Sequence, residues 1–221
     1  MPARLRPTAP IAADAVLVGD PGRALMLAQV VLREPKMSNH ARGLWGYTGL
    51  TEDGHELSLQ ATGMGGPSAA VVLADLVELG VRRAVRIGTC TALDPELEAG
   101  QLLTIYEAHA WGGGGAGRAV LPDPALSAAL GLQLAEAARP AAVASLDILH
   151  GGGAPAPVSA GDVADMQTAA LFSRAGELEV ALAAVLVVTE TADGGELDGE
   201  AGESAAKRAG TAAATVLSTS S

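Results

Sequence analysis

The residues of this chain best suited to chemistry are Gly19 with Arg23, the glycines of TGMGGPSAA (Thr62 to Ala70), and Arg86 with Thr89. Guanidinium groups, a hydroxyl and backbone N–H groups are all hydrogen-bond donors, and together they suit phosphate or another oxyanion. Each set lies where an apolar run breaks at glycine, which puts it at the carboxyl end of a strand, the usual ligand position in α/β sheets. Where a helix starts directly after such a strand, its free N–H groups and the positive end of its dipole add to the attraction. A plainer reading is also open, in which Arg86 belongs to a structural ion pair, Arg23 is a surface arginine and the glycines only turn the chain.

The elements that must position these residues begin with DAVLVGDPGRALMLAQVVL, Asp14 to Leu32. Ala15 to Val18 read as a buried strand broken by Gly19 and Asp20. Pro21 suits a first helical turn, and Leu25, Leu27, Val30 and Val31 give that helix an apolar side. Arg42 to Leu50 and Glu56 to Ala61 flank the turn signal Glu52-Asp53-Gly54, which predicts a hairpin with Trp45 and Tyr47 on one face. After the glycines, Pro67 and Ser68 open a helix that closes at Gly80. Ala84 to Ile87 and Gln101 to Glu107 read as strands, the second leading into WGGGGAG.

Asp123 to Arg139 reads as a helix with Asp123 as cap, Pro124 first and Pro140 as stop. Ala141 to Ser145 is a candidate strand, and the loop HGGGAPAPVSAGD after it is either a mobile lid or a disordered connection. Gln167 to Leu182 reads as helix, Ala184 to Thr189 as buried strand, and Glu200 to Leu217 as a final helix. Strands alternating with helices, plus a hairpin, predict a three-layer α/β/α sandwich on a mixed central sheet, as one domain over residues 1–221.

Composition narrows the function classes. With 221 residues and 49% hydrophobic content the chain can bury a large core. A net charge of −11 opposes non-specific nucleic-acid binding, and aromatics at 2% are too few for widespread base stacking. No apolar run reaches the roughly 20 residues that cross a bilayer, so no membrane partner is expected. The opening MPARLRPTAP lacks an apolar signal core, and Cys90 is alone, which points to a reduced, cytoplasmic setting. His40, His55, His109 and His150 show no metal-ligand spacing, so neither metal nor organic cofactor is expected.

The segments VLVGDPGRA, NHARGLWGYTG, ATGMGGPSAA and AVRIGTCTAL, in that order between Asp14 and about Leu103, resemble the nucleoside phosphorylase family that includes hexameric purine nucleoside phosphorylase and uridine phosphorylase. The resemblance implies that Gly19, Arg23, Arg86 and Thr89 bind phosphate, with Arg42 reaching the phosphate of a neighbouring subunit. It implies that Met64 packs under the ribose with Met166 and Gln167 nearby, and that Cys90, Thr91 and Asp165 lie toward the base. It further implies a homodimer, with a hexamer built as a trimer of dimers as the larger assembly, and inorganic phosphate as co-substrate.

Asp193 falls where the purine branch carries the acid that protonates the leaving base, and Arg208 or Lys207 could support it. A turn aspartate before Gly194 and a solvated helix face are the plainer accounts of these residues. To act as the acid, Asp193 needs a raised pKa, from burial or from a neighbour such as Glu190.

Two departures stand out. The family's Glu-Met-Glu ribose stretch reads Asp165-Met166-Gln167 here, and an amide cannot accept from two sugar hydroxyls as a carboxylate does. The matching base-side aromatic is absent from Val143 to Asp147. The expected reaction is phosphorolysis of a purine nucleoside to free base and pentose 1-phosphate. Alternatives are a uridine phosphorylase, a water-using nucleosidase, or a weak or inactive relative that binds a phosphate-bearing ligand.

Overall fold

Alternation along the first strand explains a sheet buried on both faces. In β1 (Asp14–Val18), Ala15 and Leu17 join one hydrophobic cluster while Val16 and Val18 join the other. A computed structural model describes residues 4–112, 115–149 and 161–219. The loop from His150 through residue 160 and the centre of the glycine run at 113–114 lie outside the described residues.

After β1 come α1 (Pro21–Val31), β2 (Arg33–Asn39), β3 (Gly46–Leu50), β4 (Glu56–Ala61), α2 (Gly66–Glu78) and β5 (Arg83–Ala92). The second half runs β6 (Leu102–Gly112), β7 (Gly115–Val120), α3 (Pro124–Leu134), β8 (Ala138–Leu146), β9 (Val163–Asp165), α4 (Thr168–Glu177), β10 (Ala181–Glu190) and α5 (Gly199–Thr219). β1 pairs in parallel with both β4 and β5, and β2, β3 and β4 form an antiparallel margin. On the other side, β5, β10, β6, β8 and β9 form a closed circuit of pairings, parallel except at β10–β6 and β5–β9, so this end of the sheet curls round on itself.

Leu27 of α1, Leu126 and Leu130 of α3, and Ala209 and Leu217 of α5 cover one face. Val72, Leu73 and Leu76 of α2 and Leu171 and Phe172 of α4 cover the other. This is the expected three-layer α/β/α sandwich on a mixed sheet. Among the described residues, no helix is long and apolar enough to cross a membrane.

Several expected boundaries move. β2 went unforeseen because it is an edge strand of mostly exposed residues, with no apolar alternation to reveal it. Its Pro35 blunts the free edge. The helix after Asp123 stops at Leu134, where Ala135 takes a left-handed φ of 43°, and Arg139 and Pro140 enter β8. Pro140 is tolerated there because β9 joins β8 only from Val143, which leaves one side of β8 unpaired at that point.

The hairpin forms as expected between β3 and β4, but Trp45 precedes the strand and is 37% exposed, whereas Tyr47 is buried in the protein's own core. Tyr47 therefore cannot anchor a partner. The helix expected from Gln167 to Leu182 is shorter, because Glu179 takes a left-handed φ and β10 starts at Ala181.

At the amino ends of β1 and β5, remote from the glycine turns, Asp14 accepts from Arg83 Nε at 2.8 Å and Nη2 at 2.6 Å and meets His55 Nε2 at 2.7 Å. This half-buried cluster ties the hairpin to the central strands.

Candidate anion-binding active site

The cavity forms where β1 and β4 end at glycine turns beside β5, which does not stop after Ile87 as expected but runs on to Ala92, so that Arg86, Gly88 and Thr89 lie within the strand. After β1, Asp20 caps α1 by accepting from the Arg23 N–H at 2.7 Å, with Pro21 in the first turn. After β4, the Thr62 N–H donates to Val18 O at 2.7 Å and so holds the two exits side by side. Gly63 and Gly65 follow at φ of 74° and 81°, left-handed values that glycine adopts without strain, and α2 starts at once. In β5, Gly88 is required by crowding: a Cβ there would lie 2.6 Å from Arg86 Nη2 and 2.7 Å from Leu186 Cδ2.

Around these turns lies a cavity of about 430 Å³, lined by Gly19, Asp20, Arg23, Gly63 to Gly65, Arg86, Thr89, Leu149 and Asp165 to Gln167, among others. Most residues expected to bind phosphate or sugar thus share one space: Gly19, Arg23, Arg86 and Thr89, with Met64, Met166 and Gln167. Met64 stands at its rim, 83% exposed.

The two arginines of the cavity differ in kind. Arg86 is buried and spans three partners: Nε to Thr168 Oγ1 at 3.1 Å, Nη1 to Gln167 Oε1 at 2.6 Å and Nη2 to Asp165 Oδ2 at 2.9 Å. The plainer reading of Arg86 as an ion-paired residue therefore holds, although Arg86 also borders the cavity. The guanidinium of Arg23 makes no hydrogen bond among the described residues. Burial is the main cause that pushes its pKa down; Asp20 pushes it back up, and the positive charge of Arg86 lowers it again. An anion between the two arginines would offset that desolvation and repulsion.

Asp165 is a strut under Arg86 and not a free contact for a base. Besides Arg86, it accepts from Thr168 Oγ1 at 2.6 Å, from the Thr168 N–H at 3.0 Å and from Ser145 Oγ at 2.5 Å. Ser145 in turn accepts from the Ala169 N–H at 2.9 Å, so the first amides of α4 are satisfied by this pair. Ser145 and Thr168 had no signal in the sequence, since neither belongs to a glycine turn or a charged motif. The one available cue was that a buried carboxylate needs several donors.

The remaining expected residues lie elsewhere. Cys90 is buried in the core, its Sγ 3.5 Å from Val187 O, and burial pushes its thiol pKa well up, with Asp165 adding to the rise and Arg86 opposing it. Thr91 Oγ1 donates to Glu190 at 3.0 Å, and neither Cys90 nor Thr91 lines the cavity. Arg42 occupies a short turn, Ala41–Gly43, at a left-handed φ of 60°, and borders a separate concavity with Arg6, Thr8 and His40.

Asp193 is fully exposed in a turn that closes on itself. The Thr191 hydroxyl donates to it at 2.5 Å, and that bond, followed by the Gly195 N–H and its own N–H, holds its carboxyl below the usual range. The raised pKa expected for an acid is thus reversed, because the turn supplies donors and solvent where burial was needed. Arg208 is an exposed residue of α5, and Lys207 pairs along the helix with Glu203 at 3.5 Å.

The sequence profile of the Phosphorylase superfamily matches residues 14–220. The chain belongs to that superfamily. Among curated proteins it is similar to the DeoD-type purine nucleoside phosphorylase of Oceanobacillus iheyensis, 42% identical over 88 residues, which span 39% of this chain and 37% of that protein. The DeoD-type enzyme of Caldanaerobacter subterraneus subsp. tengcongensis is 40% identical over 89 residues, 40% of this chain and 38% of that one. These matches thus span under half the length of the relatives. The fold is similar to that of the purine nucleoside phosphorylase of Toxoplasma gondii, solved in complex with immucillin-H, with a TM-score of 0.83 at 20% identity over 94% of this chain and 92% of the other.

Proposed function

We propose that this superfamily member is a nucleoside phosphorylase that cleaves the N-glycosidic bond of a purine nucleoside with inorganic phosphate. The observation that carries this reading is Arg23, a partly buried guanidinium without a side-chain partner among the described residues, facing Arg86, Thr89 and the glycine turns across one cavity. A phosphate oxygen attacks the anomeric carbon, the C–N bond breaks with its electron pair leaving on the base, and the base takes up a proton. Arg23 and Arg86 hold the phosphate against the sugar as positive charge develops there.

With the Asp193 carboxyl held low in solvent, the proton comes from water in this arrangement, and the contribution of general acid catalysis, about 100-fold or more, is forgone. In the same reading the protein is a homodimer, or a trimer of such dimers, in which Arg42 crosses to the neighbour's phosphate. Its support is that Arg42 makes no side-chain hydrogen bond among the described residues and holds a positive φ.

A second reading, a weak or inactive relative that binds a phosphate-bearing ligand, is favoured by the Arg86–Asp165 pair and by the low Asp193 carboxyl. Cleavage of inosine, adenosine, uridine and their 2′-deoxy forms, measured with and without phosphate, separates the two. Phosphate-dependent release of base supports the first reading, phosphate binding without turnover the second, and turnover without phosphate a nucleosidase. Sedimentation as a stable monomer would remove the role of Arg42.

A further inference from the structure

Arg42 can serve a neighbouring subunit only if the turn that carries it is held in one shape. Its side chain is exposed and makes no hydrogen bond among the described residues, yet its backbone sits at φ 60° and ψ 18°. A residue with a Cβ keeps that left-handed conformation only where its surroundings impose it. The bonds within the turn, Gly43 N–H to His40 O at 3.3 Å and Leu44 N–H to Ala41 O at 3.1 Å, are both longer than the ~2.9 Å typical of such bonds.

The firmer hold comes from beneath. Asn39, at the end of β2, is fully buried. Its Nδ2 donates to Leu44 O at 2.5 Å and to Ala41 O at 3.4 Å, carbonyls on either side of Arg42 in the chain, while its Oδ1 accepts from the Arg6 N–H at 2.8 Å. Chemistry dictates this orientation, since two carbonyls need an NH₂ group and a backbone N–H needs an oxygen. One buried amide thus closes the turn and binds it to the amino-terminal segment, with Arg42 and Arg6 on the same concavity of about 410 Å³. Leu44 O has a second donor in Gln60 Nε2 at 2.9 Å, whereas no other side chain among the described residues reaches Ala41 O or the Arg6 N–H. Loss of the Asn39 amide therefore leaves Leu44 tied to β4 and frees the Arg42 side of the turn.

We propose that Asn39 is a positioning residue for Arg42: it lines neither that concavity nor the strand-exit cavity, and it sets the direction in which the guanidinium leaves this subunit for its neighbour's anion. The proposal rests on the reading above in which Arg42 crosses. Without the amide the guanidinium is still present but points in many directions, and ordering it on binding costs affinity.

The test is calorimetric titration of inorganic phosphate into the full chain in its native assembly, and into Asn39→Ala, Arg42→Ala and the double variant. Arg42→Ala should weaken binding by about tenfold or more, the loss of a charge-assisted bond. Asn39→Ala should weaken it by about threefold to tenfold, the cost of ordering one freed side chain. The double variant should bind as Arg42→Ala does, because a clamp has no effect once the group it aims is gone. Losses that multiply in the double variant overturn the proposal, since Asn39 then acts apart from Arg42. A folded Asn39→Ala protein that binds within about twofold of the parent also overturns it. So does its sedimentation as a smaller species than the parent, which assigns the amide to assembly instead. Unchanged binding in Arg42→Ala overturns the crossing itself and the proposal with it, and failure of the parent to bind phosphate overturns the anion reading beneath both. Should Asn39→Ala not fold, Asn39→Asp, which keeps the shape and the acceptor for Arg6 but loses both donors, carries the same expectations.

Discussion

Asp165→Asn is the sharpest perturbation of the site. The Arg86 and Asp165 side chains are 4% and 1% exposed, with Nη2 and Oδ2 2.9 Å apart. Neutralising the carboxylate leaves a guanidinium in the interior without its counter-charge, and turns an amide N–H₂ toward donors that Asp165 now satisfies. Breaking a buried pair in this way costs about 3–5 kcal/mol, a large share of the ~5–15 kcal/mol that holds a domain folded. Phosphate bound beside Arg86 would restore negative charge there. At a hundred times its dissociation constant it would stabilise the folded state by about 2.7 kcal/mol, and by more in the variant than in the parent if the uncompensated Arg86 tightens its binding.

The assay is urea unfolding of parent and variant at pH 7, in chloride and in phosphate at matched ionic strength. The gap between the two proteins should be 3–5 kcal/mol in chloride by the same rule and narrower in phosphate. Ser145→Ala, which keeps the charge and removes one donor, should cost only about 1 kcal/mol. A loss under about 1 kcal/mol for Asp165→Asn, or a gap as wide in phosphate as in chloride, would refute the account of Arg86 as a paired cation shared with an incoming anion.

Arg23→Ala should weaken phosphate binding by about 1.5–3 kcal/mol in calorimetry while leaving the unfolding midpoint near that of the parent, since Arg23 has no side-chain hydrogen bond to lose among the described residues. Gly88→Ala places a Cβ 2.6 Å from Arg86 Nη2 and should destabilise by about 1–3 kcal/mol and weaken phosphate binding, because both Arg86 and Leu186 must move. Asp193→Ala should leave turnover within about threefold of the parent; a drop of about a hundredfold would restore Asp193 as the acid. Burial raises the Cys90 thiol pKa, so its stabilising contribution is complete below the unfolded thiol value and is lost as pH rises toward the folded one. Stability should therefore fall by up to about 1.4 kcal/mol per pH unit above ~8.5, with a shallower slope in Cys90→Ala.

The sequence by itself determined the elements whose causes are local. A strand that breaks at Gly19, a cap at Asp20 and a proline at Pro21 specify β1 and α1 within a few residues of chain, and Asp123 with Pro124 does the same for the start of α3. The alternation of strands with helices carried the three-layer fold, because each apolar face requires a covering layer. The gathering of Gly19, Arg23, Arg86 and Thr89 on one side of the sheet followed too, although β5 runs past Thr89 to Ala92 and it is the end of β1 that comes level with Ile87.

Only the tertiary structure decided what those residues touch. Arg86 meets Asp165 across 79 positions of sequence, and Gln167 meets Gly63 across 104, so no local pattern signals that either side chain is already engaged. Asp165 and Asp193 are the same residue type with opposite fates. One is enclosed at the start of α4 by Ser145, Thr168 and Arg86, and the other stands in solvent within its own turn. Burial and partner identity arise from packing between distant segments, and charge chemistry depends on those two quantities more than on residue type.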